Sequence, residues 1–161
     1  EYEDSERVIV TGSACTGNTY IAASLAAKMF LENKIKNIIL TRPNVASGRS
    51  LGFFPGTMDD KMAPWVIPFT DVITKHLGTA AYEIAVKRRY IAFVLFEAMP
   101  GRTFDYSFVI LYEVHNTTSS EMMMFLSPNV DDSRTVITSD SPYPVLNISS
   151  LHKVIIVSAY Y

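Results

Sequence analysis

Several short runs in the chain are apolar at nearly every position rather than at alternate ones. They are Val8-Ile9-Val10, Asn37-Ile38-Ile39-Leu40-Thr41, Tyr90 to Phe96 and Phe108-Val109-Ile110-Leu111, with Arg134-Thr135-Val136-Ile137-Thr138 as a fifth. Runs of this kind suit strands buried on both faces, the signature of a parallel sheet between layers of helix. Tyr20 to Phe30 is rich in alanine and leucine and exits through Glu32, Asn33 and Lys34, which predicts a helix between the first two runs. Strand, helix and strand in that order read as a β-α-β unit with a parallel pair. Asp59 to Leu77 has apolar residues at mixed helical spacing but contains Pro64 and Pro68, so a broken or kinked helix is expected. Ala80 to Lys87 and Ser119 to Leu126 predict shorter helices, the latter with Met122, Met123 and Met124 as gap-filling core or interface residues. The last run, Val154-Ile155-Ile156-Val157, fits a strand or the buried side of a helix, and periodicity does not choose between them. The pattern predicts an α/β fold with a mainly parallel sheet.

The stretch between the first strand and the first helix carries the chemistry. Gly12-Ser13-Ala14-Cys15-Thr16-Gly17-Asn18-Thr19 has glycine at the first and sixth positions of a phosphate-binding loop, where the chain turns tightly and its amides converge. Strand, glycine-bracketed loop and helix form the arrangement that cradles a phosphate on backbone N–H groups. The motif wants lysine next, and Asn18 stands there; Thr19 supplies the hydroxyl expected to hold Mg2+. Arg42, followed by Pro43, ends the second strand and projects at the same sheet edge, where open α/β sheets place their ligands. Residues Ser47 to Gly56 are too broken by glycine for a helix and read as a shaped functional loop.

Composition narrows the classes of function. A chain of 161 residues is the size of one domain, expected here over 1–161, and its start at Glu1 with an apolar end suggests a fragment lacking both natural termini. Fourteen Lys and Arg against 16 Asp and Glu leave a formal net charge of −2, so no global basic field points to nucleic acid. The single cysteine, Cys15, excludes an internal disulfide and a cysteine-based zinc site, and reads as a small filler of the loop. No run approaches a membrane span and no signal peptide precedes the first strand, so a cytoplasmic protein with no membrane partner is expected. On that reading the two N-x-[ST] matches at Asn116 and Asn147 are chance. The three histidines, His76, His115 and His152, have no metal-ligand spacing. Lys87-Arg88-Arg89 reads as a solvated helix end ahead of an RNA contact, and Trp65 with Phe69 as core ahead of a base-stacking platform.

Taken together, the loop at Gly12, the segment Leu40-Thr-Arg-Pro-Asn-Val-Ala-Ser-Gly-Arg-Ser-Leu-Gly-Phe-Phe-Pro-Gly56, Gly101-Arg-Thr-Phe and Phe108-Val-Ile-Leu-Tyr-Glu-Val-His-Asn-Thr-Thr118 resemble the PhoH family. These are phosphate-starvation-inducible P-loop ATP-binding proteins, and the forms carried by bacteriophages are the most similar. The resemblance runs from about Val8 to at least Asp140 and is most specific from Thr41 to Gly56. It implies a three-layer P-loop NTPase fold with a RecA/helicase-like core, binding ATP with Mg2+. It places Gly12 to Thr19, Arg42 and Arg102 at the nucleotide, and Glu113 and Asp140 at the catalytic positions. By family analogy it also implies RNA work, with a homo-oligomer as a further possible assembly.

The departures fall on the catalytic positions: Asn18 for lysine, Tyr112 for the aspartate of Asp-Glu, Pro100 for arginine, His115 for glutamine and Ser139 for glycine, while Tyr143 or Pro144 stands where a glutamine is expected. Losing a charge-assisted hydrogen bond costs ~1.5–3 kcal/mol. A neutral phenol is also a poor ligand for a hard cation. The expectation is weak ATP binding with hydrolysis in question. The alternative is a non-catalytic pseudo-ATPase acting as an interaction or RNA-associated module.

Overall fold

The computed structural model describes residues 7–12, 17–43, 58–99, 104–112, 114, 117–118, 120–122, 133–139 and 154–159. In chain order these form β1 (Arg7–Gly12), α1 (Asn18–Leu31), β2 (Asn37–Arg42), α2 (Met58–Leu77), α3 (Thr79–Lys87), β3 (Ile91–Leu95), β4 (Ser107–Leu111), β5 (Arg134–Ser139) and β6 (Val154–Ala159). The six strands make one sheet in the order β3-β2-β4-β5-β1-β6, and every pairing is parallel. The ambiguous last run is therefore a strand, laid against β1 from Arg7↔Val154 to Gly12↔Ala159.

The apolar residues of β1 to β5 alternate between two covered faces. Val8, Val10, Ile38, Leu40, Phe108, Ile110, Tyr112 and Val136 share one core with α1, α2 and α3. Ile9, Leu111 and Ile137 pack on the opposite side with Phe96, Val114 and Met122, and Ile39, Val94 and Val109 pack with Met99. Covering on both faces is the reason the strands read as continuous apolar runs. Four of α1's buried positions are alanine, Ala22, Ala23, Ala26 and Ala27, all at 0–1% exposure. Side chains that small let the helix axis approach the sheet and α2 closely, and such packing is sensitive to a single added methylene.

Two expectations are corrected. The β-α-β reading took β1 and β2 as a parallel pair; they are parallel, but β5 and β4 lie between them. Local sequence carries direction of travel and not which strands become neighbours. α2 is also one continuous helix of 20 residues through Pro64 and Pro68, not a broken one. Its buried stripe, Val66, Phe69, Val72 and Ile73, locks into the core beneath α1, while Pro68 faces solvent. Packing of that stripe outweighs the backbone bonds the two prolines cannot make. α2 ends at Gly78, whose N–H donates to Thr74 O at 2.8 Å and whose φ of 85° and ψ of 152° turn the chain straight into α3. That combination of angles is open essentially to glycine alone.

Candidate functional site

In a parallel sheet all C-terminal strand ends meet at one edge, and ligands settle in the crevice beyond it. The cross-strand row Thr41, Leu111, Ile137 and Ile9 fixes the level of that edge across β2, β4, β5 and β1. Just above the row come Arg42, Tyr112, Ser139 (paired with Thr11) and Gly12. The edge thus gathers the end of the phosphate-loop strand, Arg42, and the residues immediately before Glu113 and Asp140 in the chain. Ser13, Ala14, Cys15, Thr16, Arg102, Glu113 and Asp140 themselves lie outside the described residues, as does the loop from Ser47 to Gly56.

The second half of the phosphate-loop motif is on view. Gly17 sits at φ 88° and ψ 12°, a left-handed conformation that L side chains rarely adopt, and caps α1. The helix starts at once: Ile21 N–H donates to Gly17 O at 3.0 Å. No acidic residue stands in the first turn of α1, and among the described residues nothing lies within 4 Å of where a Gly17 side chain would project. The N-terminal N–H groups of a helix carry partial positive charge, so an uncrowded, acid-free start suits an anion. Asn18 is buried at 8% exposure and Thr19 is half-buried. Gly17 and the first turn of α1 thus leave room for an anion at the helix start.

Arg42 reaches the same edge but stands apart from β1. β2 stands three strand spacings from β1, about 14 Å at ~4.8 Å per spacing. Its guanidinium lies 3.9 Å from the centroid of the Trp65 ring of α2 and 5.8 Å from that of Tyr112. Trp65 is 43% exposed, so the expectation of a core tryptophan is corrected, while its companion Phe69 is 1% exposed as expected. Trp65 sits beside the buried stripe of α2, and the Arg42 guanidinium covers its ring.

Tyr112 is a packed residue. It is 6% exposed, its N–H donates to Thr41 O at 3.2 Å, and its ring meets that of Phe69 at 4.8 Å and 52°. The neighbouring Thr41 is fully buried, and among the described residues its hydroxyl has no hydrogen-bond partner.

Beyond Glu113 the chain is held by local contacts around Val114, Thr117 and Thr118. Thr117 donates to Val114 O through its N–H at 2.9 Å and through its hydroxyl at 2.6 Å. Thr118 and Glu121 then form a reciprocal cap: Thr118 N–H and Oγ1 each donate to Glu121 Oε2 at 2.8 Å, and Glu121 N–H donates to Thr118 Oγ1 at 3.3 Å. The backbone N–H, then the hydroxyl, hold the Glu121 carboxyl below the usual carboxylate range. Thr118-Ser119-Ser120-Glu121 is a capping-box sequence, so the signal was present. Among the described residues no group of three or more His, Cys, Asp and Glu could hold a metal ion, and no helix is long and apolar enough to cross a membrane.

Known proteins place this architecture. The fold matches the large terminase from the thermophilic bacteriophage D6E with a TM-score of 0.58, over 98% of this chain and 41% of that one, at 12% identity. A likeness at that identity speaks for the α/β fold alone. In sequence the chain is 40% identical over 136 residues to the PhoH-like protein of Bacillus subtilis, covering 84% of this chain and 43% of that protein. It is 32% identical over 140 residues to protein PhoH of Escherichia coli, covering 86% and 40% respectively. The chain thus spans about two fifths of the length of these relatives. The family described as PhoH-like protein matches residues 2–154, and this chain belongs to it.

Proposed function

We propose that this PhoH-like domain binds ATP at the C-terminal edge of its sheet, with hydrolysis impaired or lost. The carrying observation is the start of α1. Gly17 is left-handed at φ 88° directly before an acid-free first turn, and β1, the strand that precedes it in the chain, is paired on both sides in an all-parallel sheet. Residues Gly12, Ser13, Ala14, Cys15, Thr16, Gly17, Asn18 and Thr19 cradle the phosphates on their amides, and the Thr19 hydroxyl holds Mg2+. Arg42, from the β2 side of the crevice, and Arg102 take the far end of the triphosphate, where a planar fork suits phosphate oxygens. Glu113 orients a water and Asp140 faces the reacting group, to whatever extent turnover persists.

Impairment is the finer part of the reading. Asn18 is neutral and buried where a lysine would neutralise phosphate charge, and Tyr112 is an aromatic held against Phe69 where a carboxylate would serve magnesium. Phosphoryl transfer in this architecture depends on positioned charge, so both replacements bear on turnover more than on binding. The same two side chains favour the second reading, a pseudo-ATPase whose fold serves as an interaction module. Titration of the chain with ATP, with and without Mg2+, followed by a phosphate-release assay tests both. Saturable Mg2+-dependent binding with little turnover is the expected result. No saturable binding overturns the nucleotide site, and Mg2+-dependent turnover well above background overturns the impairment.

A further inference from the structure

The chain has a single tryptophan, Trp65, and it stands beside the nucleotide edge without a place in the phosphate cradle. It precedes Phe69 by four residues on α2, the i, i+4 relation that sets side chains one above the other on a helix face. Phe69 is sealed in the core and meets the Tyr112 ring that follows β4. Trp65 keeps 43% of its surface open and meets the Arg42 guanidinium at the end of β2. Three elements thus converge in one row of contacts, Phe69 to Tyr112, Tyr112 to Arg42 and Arg42 to Trp65.

Two distances fix how Arg42 is held. Its guanidinium carbon is 3.9 Å from the Trp65 centroid, a separation open only to an atom over the ring face, since the rim of the indole would keep it further away. The Tyr112 ring is the second neighbour at 5.8 Å, still inside the ~6 Å over which a cation and an aromatic face attract. β4 is the neighbour of β2 that lies toward β1, so this contact ties the charge to the loop-strand side of β2 and not to the outer strand β3. Stacking engages the flat face of a guanidinium, whereas its hydrogen bonds to phosphate run in its plane, so both can be made at once. An arginine already held on a ring has also given up the rotamer freedom that phosphate binding would otherwise cost.

We propose that Trp65 is the positioning residue for Arg42 and that the pair makes this edge prefer a nucleoside triphosphate to a diphosphate, a preference that rests on the ATP binding proposed above. The amides at the start of α1 hold the phosphates nearest β1, and β2 stands three strand spacings away. Arg42 therefore meets only the terminal phosphate, the group a diphosphate lacks. Trp65 itself meets no phosphate. It acts through the arginine, keeping the guanidinium flat against α2 and aimed at that group. A tryptophan that only filled space would support both nucleotides equally.

The test is calorimetric titration of the 161-residue chain with ATP and with ADP, each with Mg2+, beside Trp65→Leu, Trp65→Phe and Arg42→Ala. Leucine keeps apolar bulk and helix preference but has no ring. Trp65→Leu should weaken ATP roughly three- to thirtyfold, the span of a cation–π contact, and leave ADP within about twofold. Trp65→Phe should recover part of the ATP affinity, because a phenyl face still attracts a cation, less strongly than an indole. Adding Trp65→Leu to Arg42→Ala should cost no further ATP affinity, as expected of residues that act as a unit. The lone tryptophan supplies a second signal: ATP should shift Trp65 emission more than ADP does, and in Arg42→Ala the two should act alike. ATP affinity undiminished in Trp65→Leu overturns the proposal and leaves the nucleotide site standing, as do equal losses of ATP and ADP or full additivity with Arg42→Ala. No saturable ATP binding by the unaltered chain overturns the nucleotide site and this proposal with it.

Discussion

Asn18 shows how much one side chain decides. It occupies the first position of α1, buried at 8% exposure, where the amides already favour an anion but no ammonium neutralises it. Asn18→Lys restores a charge-assisted hydrogen bond worth about 1.5–3 kcal/mol, so ATP affinity should rise about ten- to a hundredfold. A displacement titration with a fluorescent ATP analogue reads this directly, and equal affinity in the two proteins removes residues 12–19 as the cradle. Glu121 makes a different residue-scale prediction, through pH. Its folded-state pKa lies below the ordinary glutamate value because Thr118 donates to the ionised carboxylate. The cap therefore adds stability above the unfolded-state pKa and loses it as the pH falls through the lowered folded-state value. Acid-unfolding curves of the chain and of Glu121→Gln should differ at neutral pH and converge below the carboxylate range. The difference should be small, since the cap is exposed to water.

Among the elements, α2 is where local rules and tertiary packing disagree most. Pro68 has no N–H to offer the carbonyl of Pro64, yet the helix continues because Val66, Phe69, Val72 and Ile73 are held in the core. Pro68 is exposed, so Pro68→Ala should return the missing bond without disturbing packing, a gain of up to about 3 kcal/mol. The less restricted unfolded chain offsets part of that gain. Urea unfolding should show a higher midpoint with an unchanged slope; a lower midpoint would mean the proline ring itself is needed. The same contrast separates what was legible in the sequence from what was not. β1 to β5 were legible because burial on both faces makes every position apolar, and α1 because alanine both favours helix and fits a tight interface. α2's continuity was hidden because the cost of a proline is local while the stripe that repays it is read only against α1 and the sheet. The exposure of Trp65 was hidden for a similar reason, since its cover comes from Arg42 on another element. The two glycines marked a tight turn ahead of α1, and Gly17 takes a left-handed angle there.

At the scale of the molecule, strand order decides what the nucleotide edge contains, and no local pattern encodes it. β5 sits between β1 and β4, so Ser139 pairs with Thr11 and the chain before Asp140 stands next to the loop strand. On the other side of β1 lies β6, the outermost strand and the one whose character periodicity left open. Its register runs along the whole of β1, from Arg7↔Val154 to Gly12↔Ala159, so it shields the strand from which the phosphate loop departs. Removing residues 154–161 would leave one side of β1 with unpaired N–H and C=O groups, a template for pairing with another chain. It would also remove the apolar run Val154-Ile155-Ile156-Val157 from the sheet. The truncated chain should unfold at a markedly lower temperature and scatter light on warming. ATP affinity should fall with it, since the cradle depends on a fixed end for β1. If the truncated chain instead keeps its thermal midpoint and its ATP affinity, β1 is anchored by β5 alone, and the position of the phosphate loop owes nothing to the last strand.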